Sequence, residues 1–439
     1  MKKTRLLVLT AMAALTLTGC GNASQNNKGG ELPSGGKEVD VKTEDGKKSL
    51  NEHVGSAVKA YRDLNLTSAS LKATLSGVNE SASVKVATAA DEEAGIPDLK
   101  ANLDFNLKDF GAKLEVNAAK HAKGADDPYD YLDASANLST TGGSLAIKGS
   151  LPGLEEGKTS KLDASLSLGG LSADAYLIGN KAYFNVDGNG NFFKGLDTFA
   201  NKLYPSLLNS YVGMFLGTVE ISETVFDAEK GVFNFASMYE ELSPKKAYLE
   251  LGQPVIWPTF SADNEETLLP AGIEDFNFAD YLEAIKQFGI DLSLVTYKDL
   301  SFGLKLELNK ESLKTLAGMF VASDQAGMIN TVLDNYLTKF SLGASIFFNK
   351  DGLLESIGAS YDVAFKMNDL SKLAPEAASM FKTFSVEAAS SANFKVEIGY
   401  NDGKVVLPSA SELAKYEKVE LPVHEDYIYE DEEPIYIEG

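Results

Sequence analysis

Side chains able to do bond-making chemistry are scarce in this chain. Cys20 is the one cysteine in 439 residues, and His53, His121 and His424 are the three histidines. No HExxH pair, no GxSxG elbow and no phosphate-cradling glycine loop occurs. His53 falls at a helix start, His121 in the charged loop "AAKHAKGADDP" and His424 in an acidic tail, so each reads as a surface residue. Carboxylates are plentiful, but abundance alone does not define an acid/base pair. The stretch "NVDGNG" puts Asn185, Asp187, Asn189 and Gly190 at the first, third, fifth and sixth positions of an EF-hand-like loop. Its twelfth position is Leu196, where calcium needs a bidentate glutamate, so a hairpin turn is expected there. No catalytic set, no metal set and no cofactor is expected, and the chain reads as a non-enzyme.

Cys20 has a different context. Lys2, Lys3 and Arg5 give a basic start, and the uncharged run "LLVLTAMAALTLT" follows over 13 residues from Leu6 to Thr18. A helix crossing the hydrocarbon layer needs roughly 20 residues. A basic start, a short apolar run and small residues after it describe a secretory signal peptide. Here it ends in Leu17-Thr18-Gly19-Cys20, which resembles the lipobox of bacterial lipoproteins. That resemblance implies cleavage after residue 19 and a diacylglyceryl group on the Cys20 thiol. With a single cysteine there is no internal disulfide.

The net charge of −23 becomes −26 once Lys2, Lys3 and Arg5 are removed. Such a surface repels phosphate backbones and anionic headgroups, which argues against a nucleic-acid partner and against electrostatic membrane binding. A covalent lipid is then a sensible tether, and the expected location is extracytoplasmic, on the cell membrane.

The segment 20–50 is rich in Gly, Ser, Asn and mixed charge, and reads as a flexible lipidated stalk. A body over 51–416 follows, then an acidic tail over 417–439 with nine acidic residues against Lys418. The tail reads as solvated, with its tyrosines and isoleucines open to partner binding or strand addition. One extended domain is preferred, with two tandem halves meeting near Ser243 as the alternative.

Helical spacing marks Val54, Ala57, Val58, Tyr61 and Leu64, then a face from Leu196 to Phe215 broken at Pro205. A third face runs from Phe278 to Phe288 between Asn277 as cap and Gly289 as stop, and two helices divide the span 310–337 near Ser323. A weaker helix follows Pro375.

Elsewhere the period is two. Leu99, Ala101, Leu103, Phe105 and Leu107 alternate with polar residues, as do Ala112 to Val116, Leu132 to Leu138, Leu162 to Leu168, Phe302 to Leu308 and Phe340 to Phe348. Strict alternation gives one wet and one buried face, typical of antiparallel sheet. Asp-Gly or Asn-Asp-Gly in "FFNKDGLLES", "IGYNDGKVV" and "VDGNG" supplies hairpin turns. The expected fold is α+β, a large curved antiparallel sheet, half-barrel-like, with helices packed on its concave face. On that face Ala134, Ala136, Ala146, Ala164, Ala173 and Ala175 are small, whereas Phe302, Phe340, Ile346 and Phe348 are large. The small residues either let helices pack closely or leave an apolar groove.

Lipobox, stalk, first helix, amphipathic strands, the aromatic stretch "YLIGNKAYFNVDGNGNFFKGL" and the ending "YNDGKVVLPSASELAKY" together resemble the LolA/LppX-LprG-like extracytoplasmic lipoproteins. The resemblance covers most of residues 60–416 in pattern. It implies a half-barrel with helices inside and, for several members, acyl chains held between the layers. The expected function is binding or carrying a hydrophobic ligand such as a lipid, lined by Leu103, Phe105, Leu304, Leu306, Phe340 and Ile346. The alternative is a structural or protein-interaction lipoprotein of the envelope with a filled core and no ligand.

Overall fold

The computed structural model describes residues 31–41, 43–62, 64–88, 100–121, 130–153, 158–210, 222–257, 285, 290–320, 323–371, 378–379 and 381–420. Residues 1–30, with the expected signal and Cys20, lie outside them, as do His424, nearly all of the expected helix 278–288 and the tail after residue 420. No helix among the described residues is long and apolar enough to cross a membrane.

The fold is α+β and dominated by one 14-stranded sheet. Its strands, in spatial order, are β1 (Lys37–Val39), β11 (Asp291–Thr296), β12 (Phe302–Asn309), β13 (Leu337–Phe348), β14 (Leu354–Met367), β15 (Phe381–Tyr400), β2 (Ser68–Thr88), β3 (Lys100–His121), β4 (Tyr131–Pro152), β6 (Ser172–Ile178), β7 (Lys181–Asn185), β10 (Lys246–Glu250) and β16 (Glu417–Lys418). β5 (Thr159–Ser167) pairs with the upper part of β4, and β8 (Phe226–Asp227) with β9 (Val232–Phe233) forms a separate ribbon. Two meanders, β11–β15 and β2–β7, thus join edge to edge through β15 and β2. The pairing among the described strands is antiparallel, as expected, except at the β16 edge, which runs parallel to β10.

Several alternating runs that read as separate strands are single long ones. The runs around Phe105 and Leu114 are both β3, and the run around Ala136 continues through Ala146 as β4. Mid-strand register shifts join them, between Leu75, Val78 and Glu80 in β2 and between Lys108, Gly111 and Ala112 in β3. The φ angles of Asp109 (49°), Gly142 (148°) and Gly143 (111°) mark the irregular residues. Each bulge changes which sequence positions face the core. Ala146 therefore lies on the polar face, paired with Asn106 and Ser165, and not with the small residues of the apolar face.

The helices are α1 (Glu44–Arg62), α2 (Gly190–Leu208), α3 (Phe235–Glu241), α4 (Lys310–Phe320), α5 (Ser323–Asn335) and α6 (Ala410–Leu413). The break between α4 and α5 falls where the sequence places it. α1 starts earlier than its apolar stripe, with Glu44 and Asp45 in the first turn favouring the positive helix end. Ordered structure thus extends into the segment read as stalk: Val41 and Leu50 are buried and β1 pairs with β11. α2 likewise begins at Gly190 and continues through Pro205 for three residues before ending. The "VDGNG" turn leads from a strand into this helix, not between two strands.

Two apolar clusters hold helices to the sheet. Leu50 and Ala57 of α1, with Val41, pack against Leu292, Leu294 and Phe302 of β11 and β12. Phe199 of α2 packs against Ala164 and Leu166 of β5. Phe302 is 1% exposed and stacks on Phe348 with ring centroids 4.6 Å apart. Replacing it with alanine leaves a large cavity under α1, and Phe302→Ala is expected to lower stability by about 3 to 5 kcal/mol in urea unfolding.

Candidate functional site

Cross-strand partners share a face of the sheet, so the register sorts every side chain. On the apolar face, Leu304 and Leu306 are packed against the α1 cluster and serve as core. Ile346 pairs with Leu304, and Phe340 lies further along β13 opposite Val363. Leu103 and Phe105 pair with Val84 and Ala82 on β2. Five strand-to-strand steps separate β3 from β12, about 24 Å along the sheet. The six residues expected to line one apolar groove therefore share a face without forming one site. Part of that face is open: Leu71 is 37%, Leu138 50% and Phe184 49% exposed.

The other chemistry-bearing residues have structural work. His53 Nδ1 lies 2.7 Å from the Ser49 carbonyl and its ring packs on Phe302. His121 ends β3, where it sits 2.9 Å from Asp133 Oδ2. In the EF-hand-like stretch, Asn189 accepts from the Ser172 N–H and donates to the Ser172 and Val186 carbonyls, and Asn185 donates to Asp174. Those side chains are committed to holding the turn. Among the described residues no three potential ligands cluster as a metal site.

A cavity of about 310 Å³ lies on the opposite, polar face. Its rows follow from the register. Lys366, Glu387, Ser83 and Asp104 stand side by side on β14, β15, β2 and β3, and Lys148 and Asp163 continue that row on β4 and β5. The next row along is Ala364, Ala389, Ser81 and Asn106. All eight residues on β14, β15, β2 and β3 line the cavity, with Thr338 at one end. The residues between the rows, Phe365, Ala388, Ala82 and Phe105, point to the apolar face and contribute its floor. Phe105 is thus the one predicted lining residue in the wall of this cavity, which it meets through the back of its strand.

Within the hollow, Ser83 Oγ donates to Asp104 Oδ1 at 2.6 Å and Lys366 Nζ pairs with Glu387 Oε1 at 2.7 Å. Thr338 Oγ1 donates to the Ala364 carbonyl at 3.1 Å. These residues were passed over in the sequence because they are the wet alternates of the same strands. The signal they carry is size: Ser, Ala and Asn replace long side chains at adjoining positions of four strands.

At the other end of the polar face, Tyr176, Tyr183 and Tyr248 form one row across β6, β7 and β10. Tyr416, just after α6, covers that row with its ring edge-on to Tyr183 at 5.3 Å. Beside it Asp174 accepts from Asn137 at 2.6 Å and from Asn185 at 3.0 Å. The start of the segment read as a solvated tail is held here: Glu417 and Lys418 pair with β10, and Lys418 reaches Glu250 at 2.7 Å. That boundary is corrected accordingly.

Neither a protein-family model nor a curated protein matches the chain. Among the solved structures that match is a β-barrel-like protein of domain of unknown function DUF1849 from Brucella abortus, at 9% identity. The match covers 74% of this chain and 98% of the other, with a TM-score of 0.10, too low to carry any argument.

Burial, with the Tyr176 phenol and the Asp174 carboxylate nearby, pushes the Tyr416 hydroxyl from 10.0 up to about 12. Below pH 10 the phenol is protonated in both folded and unfolded chains and contributes no pH dependence. Between about pH 10 and 12 the unfolded chain loses this proton first, so stability falls across that window. Urea midpoints measured through it should decline less steeply in Tyr416→Phe than in the unmodified chain.

Proposed function

We propose that this is a lipid-anchored, extracytoplasmic protein of the cell envelope, without a reaction centre, that acts by recognition at the polar face of its sheet. In this reading the sheet is half-barrel-like, its apolar face is occupied by the protein's own helices, and Cys20 carries the diacylglyceryl anchor. The observation that supports it best is the filling of the apolar face near both ends. Leu304 and Leu306 are taken up by α1, and Leu145, Ile147 and Ala164 by α2. The described cavity lies on the other face, with Ser81, Ser83, Asp104, Asn106, Lys366 and Glu387 in its lining.

The interaction alternative of the sequence reading is thus favoured over the hydrophobic carrier. One observation still supports the carrier: Leu71, Leu138 and Phe184 leave apolar surface open among small residues of β4 and β6. Organic extraction and native mass spectrometry of the purified chain separate the two. Only the covalent anchor is expected, and a stoichiometric non-covalent lipid would establish the carrier instead.

The anchor has its own test. Growth of the producing bacterium with a clickable fatty acid should label the wild-type chain and leave Cys20→Ala unlabelled. Equal labelling of the two would remove the tether.

A further inference from the structure

We infer that the hollow on the polar face is a binding site for a neutral polyhydroxyl ligand, a mono- or disaccharide unit. This names a ligand for the surface proposed above and rests on the reading of that face as the working one. The argument starts from the groups left over once the hollow's internal bonds are made. Ser83 occupies one oxygen of Asp104, and the other is available as an acceptor. Asn106 has no hydrogen-bond partner among the described residues, which leaves an amide donor and acceptor side by side. Ser81 adds a hydroxyl, and the Lys366–Glu387 pair adds a donor and an acceptor in fixed register. Hydrogen-bonding groups thus gather at Ser81, Ser83, Asp104 and Asn106 on two neighbouring strands about 4.8 Å apart, with the Lys366–Glu387 pair beside them.

A second observation is independent of the lining. Ser391 Oγ and Asp362 Oδ1 are buried without a partner, and they are cross-strand neighbours one step along the same face from Ala389 and Ala364. Ser391 is 0% exposed. Asn102 Oδ1, also buried and unpartnered, lies one step from Asp104 on the other side. Such atoms are a small minority in folded proteins, and here three of them flank one hollow.

The chemistry sorts ligand classes. A wholly apolar ligand would leave Ser81, Ser83, Asp104 and Asn106 facing it without partners. An anion faces Asp104, a carboxylate without an ion-pair partner, in a chain of net charge −23. A metal ion needs convergent oxygens, yet Asp104 and Glu387 are separated by the whole of β2. A sugar hydroxyl both donates and accepts, so a lining that offers both donors and acceptors satisfies it without bringing a further charge into the hollow. The volume lies at the small end of the range for ligand pockets, about 300 to 1,000 Å³.

The test uses the full chain in a polyoxyethylene detergent, which carries no sugar headgroup. Saturation-transfer NMR with glucose, N-acetylglucosamine and their β-linked disaccharides should give a saturable signal for at least one sugar. Asp104→Asn and Asn106→Ala should each weaken it by about tenfold, while Lys72→Ala, on the same face but outside the hollow, should leave it unchanged. Urea midpoints check folding, and Ser81→Ala decides if either variant fails to fold. No saturable sugar signal, an affinity indifferent to these substitutions, or binding of inorganic phosphate or calcium in place of sugar would each overturn the site. None of these results bears on lipid extraction, so loss of the sugar site and loss of the recognition reading are told apart.

Discussion

The structure depends on one constraint, the sidedness of very long strands. Leu75 and Ala82 of β2 lie an odd number of residues apart, so an unbroken pleat would put them on opposite faces. Their partners on β15, Phe394 and Ala388, lie an even number apart on a strand that keeps its alternation. The extra residue between Leu75 and Glu80 therefore returns the apolar set to one side. β3 and β4 make the same correction at the same level, where Phe105 and Ala112 pair with Ile147 and Thr140. A one-residue slip reverses every side chain beyond it, so an uncorrected strand would present half of its apolar residues to water.

Both faces inherit their character from that correction. On the apolar side the face continues from β12 to β5, and helices settle near both ends: α1 over β11 and β12, α2 over β5. α1 comes from the start of the chain and packs on strands from its later half, while β15 joins β2. The two meanders are thereby tied twice, by backbone pairing at the centre and by side-chain burial at one edge. On the polar side, bulges bend strands and raise their local twist. The hollow lies directly beyond the irregular row, where Asn79 Oδ1 holds the backbone of Asp109 at 3.0 Å. A hollow lined from one face of several neighbouring strands requires local curvature, and the bulges provide its cause.

Alternation made most strands legible, since each needs only a run of residues with period two. What it could not show is that two runs of opposite parity belong to one strand. Lys108-Asp109-Phe110-Gly111 reads as a turn, and a loop is the economical reading of "TTGG" in β4 as well. Ala146 was placed on the wrong face for that reason. The start of α1 was hidden because Glu44 to Ser49 carry nothing to bury, and only the later stripe has helical spacing. The short β1 and β16 are edge strands defined by their partners, so no local pattern announces them. Leu103 and Phe105 were correctly marked as apolar-face residues, yet the strand order that separates them from Leu304 and Leu306 is a long-range property of the chain.

The polar row itself argues against a purely structural account of that face. Lys366 and Glu387 are 49% and 48% exposed, and Lys148 and Asp163 65% and 79%. Ion pairs so exposed contribute about 0 to 1 kcal/mol each, and salt weakens them further. Stability alone gives no reason to interrupt such a ladder with Ser83 and Asp104, or to set Ala364, Ala389 and Ser81 beside it, where β-branched residues would favour the strand more. Small side chains in the middle of long strands forgo packing and leave room. Room that offers both donors and acceptors is a property that recognition uses and folding does not.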